Sequence, residues 1–138
     1  LASLRVGYGI SSRENIEKIK MFKQPFNTNM FAQNAAMLAL KDKKFIKISK
    51  DNNLSAMKIL TNVFNKLSIN YLGTNCNFLT FEAGKNANKL FTYLLKQGII
   101  VRPLTNYKLA NYLRVSLGNP KDNYKFIKHL KIFYSEEI

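Results

Sequence analysis

The second half of the chain alternates short apolar runs with amphipathic helical patterns, and this alternation constrains the fold more than any other feature. Apolar side chains recur at helical spacing over residues 86–96 and 122–135. The short apolar or alternating pattern of strands covers residues 69–72, 77–82, 99–102 and 112–117. Gly98 follows the first helical stretch, where a left-handed residue commonly ends a helix. The sequence therefore predicts a compact α+β unit.

The first part of the chain has a different character. Residues 2–10 are predicted to form a buried strand, because they are almost continuously apolar. A short helix is predicted over residues 16–21, followed by a break at Pro25. Asn27 or Thr28 is then predicted to cap a second helix whose small residues favour close packing.

A long helical pattern joins these two parts, running from residue 42 to about residue 67. With 46% hydrophobic residues among 138, the chain can bury a core. We place a domain boundary near Leu40, so that residues 1–40 and 41–138 form separate parts. The predicted fold class is mixed α/β, with an α+β second domain.

The formal net charge of +14 raises the question of nucleic-acid binding, because clustered Lys and Arg neutralise phosphates. The 18 lysines are spread along the whole chain, with no block of five or six. Such an excess of Lys, beside 17 Asn, is more typical of a general residue bias on a solvated surface than of a binding stripe. We predict no nucleic-acid partner, and a basic binding module without catalysis is kept as an alternative.

Several other classes of protein are excluded by simple counts. No apolar run reaches the roughly 18 to 20 residues of a membrane span, so no membrane association is predicted. One cysteine, Cys76, and one histidine, His129, exclude a disulfide framework and a Cys/His zinc site, and no metal is predicted. Cys76 is predicted to be a buried or half-buried small residue and His129 to face solvent. A reducing cytoplasm is the expected location.

Three of the four arginines lie inside apolar, strand-like runs: Arg5, Arg102 and Arg114. A guanidinium is a planar fork of donors that binds carboxylate or phosphate through two hydrogen bonds, which Lys cannot do. The chain has eight acidic residues, and none lies in these runs. Half-buried arginines need anionic partners, so the missing anions are predicted to be ligands. The alternative is pairing with a distant acid such as Glu82, or with carbonyls at a helix end.

Five stretches of the chain resemble one protein family, in the family's own order. They are LASLRVGYGI, KQPFNTNMFAQNAAMLAL, NCNFLTF, QGIIVRPL and NYLRVSLGNPKDNYKFI. Together they are similar to the pyridoxal-phosphate-dependent aminotransferases of fold type I, and most of all to the histidinol-phosphate aminotransferases. The resemblance covers most of the chain. It implies that residues 1–40 are a strip of the large cofactor-binding domain and that residues 41–138 are the C-terminal small domain.

The resemblance also implies roles for the three arginines and for what lies outside the chain. Arg5 matches the family arginine that contacts the cofactor phosphate. Arg114 matches the one that binds the substrate α-carboxylate, and Arg102 the one that helps bind the substrate phosphate or distal carboxylate. The Schiff-base lysine of the family falls a few residues before Leu1, so no catalytic residue is assigned here and the chain alone is expected to be inactive.

The function implied by the resemblance is amino transfer from histidinol phosphate to 2-oxoglutarate, in histidine biosynthesis, by a cytoplasmic homodimer that uses pyridoxal 5'-phosphate. Its substrates are an amino acid or amino-alcohol phosphate and a 2-oxo acid. The alternatives within the fold are a threonine-phosphate decarboxylase or an aromatic aminotransferase. Residues 107–110, Tyr-Lys-Leu-Ala, stand where the family usually has Tyr-Gly-Leu-Pro. We expect this difference to affect the loop that sets side-chain specificity.

Overall fold

A computed structural model describes residues 1–136 of the chain, which divides into two compact units, one over Leu1–Lys47 and one from Ile48 onward. The helices are α1 (Arg13–Lys20), α2 (Met30–Lys41), α3 (Lys43–Lys66), α4 (Ala87–Lys96) and α5 (Pro120–Glu136). The strands are β1 (Tyr71–Leu72), β2 (Phe78–Glu82), β3 (Arg102–Leu104) and β4 (Leu109–Ser116). Short 3-10 turns cover Ala2–Leu4, Gly84–Asn86 and Thr105–Tyr107.

The buried strand predicted over residues 2–10 is wrong. The segment opens with the 3-10 turn, Arg5 follows in a left-handed conformation at φ 56°, and the remaining residues have no regular structure. The side chains of Tyr8 and Ile10 are exposed. A strand needs a neighbour to complete its hydrogen bonds, and residues 1–47 contain no other strand to supply one.

Side-chain caps begin the helices of the first unit. Ser12 caps α1 by accepting a hydrogen bond from the Asn15 N–H. The second helix is capped by Asn29, not by Asn27 or Thr28 as predicted, since the Asn29 Oδ1 accepts from the Ala32 N–H at 2.8 Å. Few side chains are buried here, and Ala32 is the one fully buried residue of α2.

The longest helix, α3, is confirmed close to its predicted bounds. Asp42 begins it, because the Asp42 Oδ1 accepts a hydrogen bond from the Phe45 N–H at 2.9 Å. The side chains of Asn52 and Asn53 donate to the Gly118 and Cys76 carbonyls, so these polar residues of α3 contact loops that border the sheet. No helix within residues 1–136 is both long and apolar enough to span a membrane.

The second unit contains a four-stranded antiparallel sheet in the order β1-β2-β4-β3. Apolar residues of β2 and β4 face the helices: Leu79 lies opposite Val115 and Phe81 lies opposite Leu113. Helices α3, α4 and α5 add most of the remaining core residues, including Phe64, Leu60, Leu90, Leu94, Phe126 and Leu130. The predicted α+β organisation of a mixed α/β chain is confirmed.

Strand β3 begins three residues later than predicted and includes Pro103 instead of ending before it. The sheet order explains why a proline fits, since β3 lies at the edge and has one neighbouring strand. At Gly98 the prediction is confirmed: this residue follows α4 with φ at 69°, the left-handed region that glycine adopts most easily.

Candidate functional site

Arg102 and Arg114 lie directly opposite each other on the adjacent strands β3 and β4. Residues paired in this way project from the same face of a sheet, with Cβ atoms about 4.5 to 5.5 Å apart. The neighbours of Arg114 in its own strand, Leu113 and Val115, point into the core. The two arginines therefore share the sheet face that the helices leave uncovered.

Strand β2 adds to this face on the other side of Arg114. Thr80 is the cross-strand partner of Arg114 there and is 8% exposed. Two residues away on either side, Phe78 and Glu82 have the same orientation, because side chains alternate along a strand. The Glu82 Oε2 accepts a hydrogen bond from the Asn70 side chain at 3.1 Å. Glu82 thus has a local partner, and neither arginine is within ion-pair distance of it.

Arg114 is half-buried and stacks on an aromatic ring. Its Cζ lies 4.8 Å from the centroid of the Phe78 ring. Among the side chains that the structure describes, no acidic one forms an ion pair with Arg114, and none accepts a hydrogen bond from its guanidinium. The positive charge therefore has an aromatic neighbour and five N–H donors available to a ligand.

Arg102 also contacts an aromatic residue, in this case Tyr107 of the following 3-10 turn. The Arg102 Nη2 donates a hydrogen bond to the Tyr107 hydroxyl at 3.2 Å, and the Arg102 Cζ is 5.6 Å from the Tyr107 ring centroid. Within the described part of the chain, the ion pairs are Lys18 with Glu14 and Lys20 with Glu17, so Arg102 has no acidic partner.

The turn at Tyr107 is followed by Lys108, at the position where the Tyr-Gly-Leu-Pro pattern has glycine. Lys108 ends the 3-10 turn in the left-handed conformation, at φ 60° and ψ 25°. This is the conformation for which glycine is normally selected. The side chain of Lys108 is exposed, so it needs no space in the core.

The structure corrects the expected burial of the arginines. Only Arg114 is half-buried, whereas Arg102 and Arg5 are exposed. The edge position of β3 accounts for Arg102, and the absence of a strand over residues 2–10 accounts for Arg5. Cross-strand pairing joins Arg102 to Arg114, and Arg5 belongs to the first unit.

Three residues of the site were missed by sequence reasoning: Phe78, Thr80 and Tyr107. The alternation of side chains in β2 could have identified two of them. Leu79 and Phe81 are the core residues of that strand. Phe78 and Thr80 alternate with them and therefore lie on the opposite face. Tyr107 gave no such signal, because its contact with Arg102 depends on the path of the loop.

Cys76 and His129 lie outside this face. Cys76 is exposed, contrary to the prediction, in the loop before β2. His129 is half-buried rather than solvent-facing, and its Nδ1 lies 3.2 Å from the Tyr93 hydroxyl. Among residues 1–136 no three His, Cys, Asp or Glu side chains are grouped so as to hold a metal ion.

Comparison with known families gives a match over nearly the whole chain. The family model for aminotransferases of class I and II matches residues 1–130. Histidinol-phosphate aminotransferase 2 of Legionella pneumophila (strain Lens) is 42% identical over 134 residues, which are 97% of this chain and 36% of that protein. Histidinol-phosphate aminotransferase of Caldicellulosiruptor saccharolyticus is 40% identical over 131 residues, or 95% of this chain and 37% of that protein.

Solved structures agree with this match. Histidinol-phosphate aminotransferase from Clostridium acetobutylicum superposes with a TM-score of 0.76 at 29% identity, over 90% of this chain and 39% of that one. L-threonine-O-3-phosphate decarboxylase from Porphyromonas gingivalis has a TM-score of 0.64 at 19% identity, over 91% of this chain and 40% of that one, which shows a shared fold. The chain thus spans little more than a third of the length of the relatives it matches.

Proposed function

The chain belongs to the aminotransferases of class I and II, and on this premise we propose that it is the C-terminal part of a histidinol-phosphate:2-oxoglutarate aminotransferase that uses pyridoxal 5'-phosphate. The relatives at about 40% identity that carry the name histidinol-phosphate aminotransferase support this choice. The full-length protein would act in the cytoplasm, in histidine biosynthesis, as a homodimer.

The observation that carries the proposal is the pairing of Arg102 with Arg114. Two like charges directly opposite each other destabilise a sheet unless something neutralises them. No described acidic residue does so. An anionic ligand on this sheet face would supply the missing negative charge, and a substrate with two anionic groups would supply it to both arginines.

Arg114 is the better candidate for the α-carboxylate of 2-oxoglutarate and of its product glutamate. A half-buried guanidinium with unused donors can bind this group through two hydrogen bonds. Arg102 is exposed at the sheet edge, where ligands of different length can reach it. We assign to it the phosphate of histidinol phosphate and the distal carboxylate of 2-oxoglutarate.

Arg5 fits the cofactor phosphate by its chemistry. Its guanidinium is exposed, and its planar donors match two oxygens of a phosphate dianion. When bound, pyridoxal 5'-phosphate supplies an electron sink that stabilises negative charge on the substrate Cα. The residues of this chain would contribute binding and orientation: Arg5 for the cofactor, Arg102 and Arg114 for the substrate. The lysine that exchanges the proton is proposed to lie outside this sequence.

The domain assignment is supported by a difference in the burial of apolar side chains between the two parts of the chain. Large apolar side chains are exposed among the first 40 residues, including those of Phe22, Phe26 and Phe31. The second unit instead buries one continuous core. We propose that residues 1–40 are a strip of the large domain, whose exposed apolar side chains pack against the rest of that domain, and that residues 41–138 are the small domain.

An assay of the full-length protein tests this proposal. We expect the amino group of histidinol phosphate to be transferred to 2-oxoglutarate, with glutamate as a product. O-phosphothreonine serves as the second substrate, and release of carbon dioxide from it would identify a decarboxylase instead. A preference for unphosphorylated aromatic amino acids would identify an aromatic aminotransferase. If no substrate reacts and heparin retains the protein with a steep salt dependence, the non-catalytic binding module is correct.

A further inference from the structure

We propose that Phe78 is a positioning residue, which orients the guanidinium of Arg114 for a carboxylate ligand without occupying any of its N–H donors. The inference concerns the geometry of Arg114 in the free protein. It rests on the proposed function only for the identity of the ligand.

The sheet register brings the two side chains together. Thr80 lies opposite Arg114, and Phe78 lies opposite Ser116, so Phe78 is the diagonal neighbour of Arg114 on the same face. Diagonal neighbours in antiparallel strands are within reach of aromatic and long side chains. The Cζ of Arg114 is 4.8 Å from the Phe78 ring centroid, which is a cation–π distance.

An aromatic neighbour can hold the Arg114 guanidinium without using its N–H donors, whereas an acidic neighbour would use them. A carboxylate beside Arg114 would hold the guanidinium but would compete with the carboxylate of the ligand for the same donors. A phenyl ring attracts the cation through its face and accepts no conventional hydrogen bond from the N–H edge. The guanidinium is thereby oriented while its edge stays open to the ligand.

The position of Arg102 makes this orientation more important. Its charge lies directly across the strand from Arg114 and repels it. The hydrogen bond from Arg102 to the Tyr107 hydroxyl holds that guanidinium at its own aromatic partner. The contact with Phe78 does the same for Arg114, so that the two like charges keep separate aromatic neighbours until an anion binds.

Phe78 has no part in the core, which makes the inference testable. The core side chains of β2 are Leu79 and Phe81, and the half-buried Phe78 is not in their cluster. Truncating Phe78 therefore leaves the packing of the helices on the sheet unchanged. A loss of order at Arg114 in such a variant can be attributed to the missing ring.

The first experiment uses NMR on the 138-residue chain with ¹⁵N-labelled arginine. We expect the Arg114 Nε–Hε resonance, assigned by its loss in Arg114→Lys, to show a ring-current shift and a high order parameter. Phe78→Leu removes both, Phe78→Tyr keeps both, and Phe45→Leu, which removes an exposed ring elsewhere, changes neither. If Phe78→Leu folds poorly, Phe78→Met keeps the side-chain volume without the aromatic face. An unchanged Arg114 resonance in Phe78→Leu or Phe78→Met overturns the inference.

The second experiment uses the kinetics of the full-length protein. Phe78→Leu should raise the KM for 2-oxoglutarate and, in the reverse direction, for glutamate by about five- to tenfold, with Phe78→Tyr close to the unmodified protein. Equal KM values for Phe78→Leu and the unmodified protein would contradict the inference. If Arg114→Lys itself changes neither KM, the proposed function is at fault, and the NMR result still decides the role of Phe78.

Discussion

Arg102 and Arg114 form a directly opposed cross-strand pair between β3 and β4, and each guanidinium contacts its own aromatic side chain, Tyr107 and Phe78 respectively. Two cations in this arrangement would weaken the sheet if water were their only other neighbour. The rings attract the two charges and leave N–H donors for an anion, which would neutralise them. Substitutions at this site and in the core beneath it test the arrangement.

Replacing Arg114 by Lys in the full-length protein should weaken binding of 2-oxoglutarate and, in the reverse direction, of glutamate alike. Both substrates present an α-carboxylate, and loss of a bidentate, charge-assisted pair costs about 1.5 to 3 kcal/mol. Steady-state kinetics with each substrate in turn measures the effect. Arg13→Lys is the matched control, since Arg13 is an exposed residue at the start of α1. A change confined to one of the two substrates would rule out the α-carboxylate as the ligand of Arg114.

Replacing Arg102 by Leu should discriminate between substrates. We expect a large loss of kcat/KM with histidinol phosphate and a small loss with an unphosphorylated aromatic amino acid, because only the first presents a phosphate to Arg102. The ratio of the two kcat/KM values is the quantity to compare with that of the unmodified protein. An equal loss for both substrates would make Arg102 a structural residue of the sheet edge.

Replacing Gly98 by Ala should lower the free energy of unfolding by about 1 to 2 kcal/mol, because a side chain at φ 69° is strained. The new Cβ would lie 3.4 Å from the Lys125 Nζ, a flexible group that can move, so the cost comes from the backbone. Urea denaturation measures it. Gly73→Ala provides the control, since a methyl group on Gly73 would have no atom within 4 Å and this residue does not have a positive φ. Equal effects at the two glycines would refute the backbone explanation.

Two adjacent leucines of α4 should differ sharply when changed to Ala. Leu94 is fully buried in the core of the second unit, so its truncation should cost about 2 to 5 kcal/mol of unfolding free energy. Leu95 is 47% exposed, and its truncation should cost about 0.5 kcal/mol or less. Chemical denaturation of both variants gives the comparison. Similar costs would mean that α4 packs on the sheet with a different face.

The chain alone should not catalyse transamination. All of its lysines are exposed to solvent, whereas a lysine that acts as a nucleophile is activated by desolvation in an apolar pocket. Mixing the chain with pyridoxal 5'-phosphate and borohydride, then mapping the adducts by mass spectrometry, should give sparse labelling over many lysines. One stoichiometric site, together with turnover of any amino acid, would show that these 138 residues are a complete enzyme.

Local sequence signals predicted the second unit well. The helical spacing of α4, the glycine after it and the alternation in β4 depend on residues close together in the chain, and each was found near its predicted position. The prediction failed where a distant partner decides the structure. The apolar run over residues 2–10 has no strand to pair with, and Pro103 is tolerated in β3 because that strand is at the edge.

In the candidate site, too, local features could be read from the sequence, whereas contacts between residues distant in the chain could not. Anion binding by Arg102 and Arg114 stays a prediction from residue type, made because few other side chains bind a carboxylate through a planar fork. Their pairing was not predicted, since it depends on the register between β3 and β4, which includes an irregularity between Pro103 and Leu104. The aromatic partners were missed because the contact of Phe78 depends on the register between β2 and β4, and the contact of Tyr107 on the path of the loop after β3.

Because side chains alternate along β4, the outward position of Arg114 and the burial of its two neighbours depend on the same strand register. Leu113 and Val115 enter the core while Arg114 between them faces outward. Inserting or deleting a single residue in this strand would turn the guanidinium inward and expose the leucine and valine, so that function and stability would be lost in one step. Substitution of an exposed residue of β4 should therefore be tolerated better than a change in the length of the strand. The turn at Thr105–Tyr107 lies outside the core, so a longer or shorter loop there would move Tyr107 relative to Arg102 with less effect on the sheet.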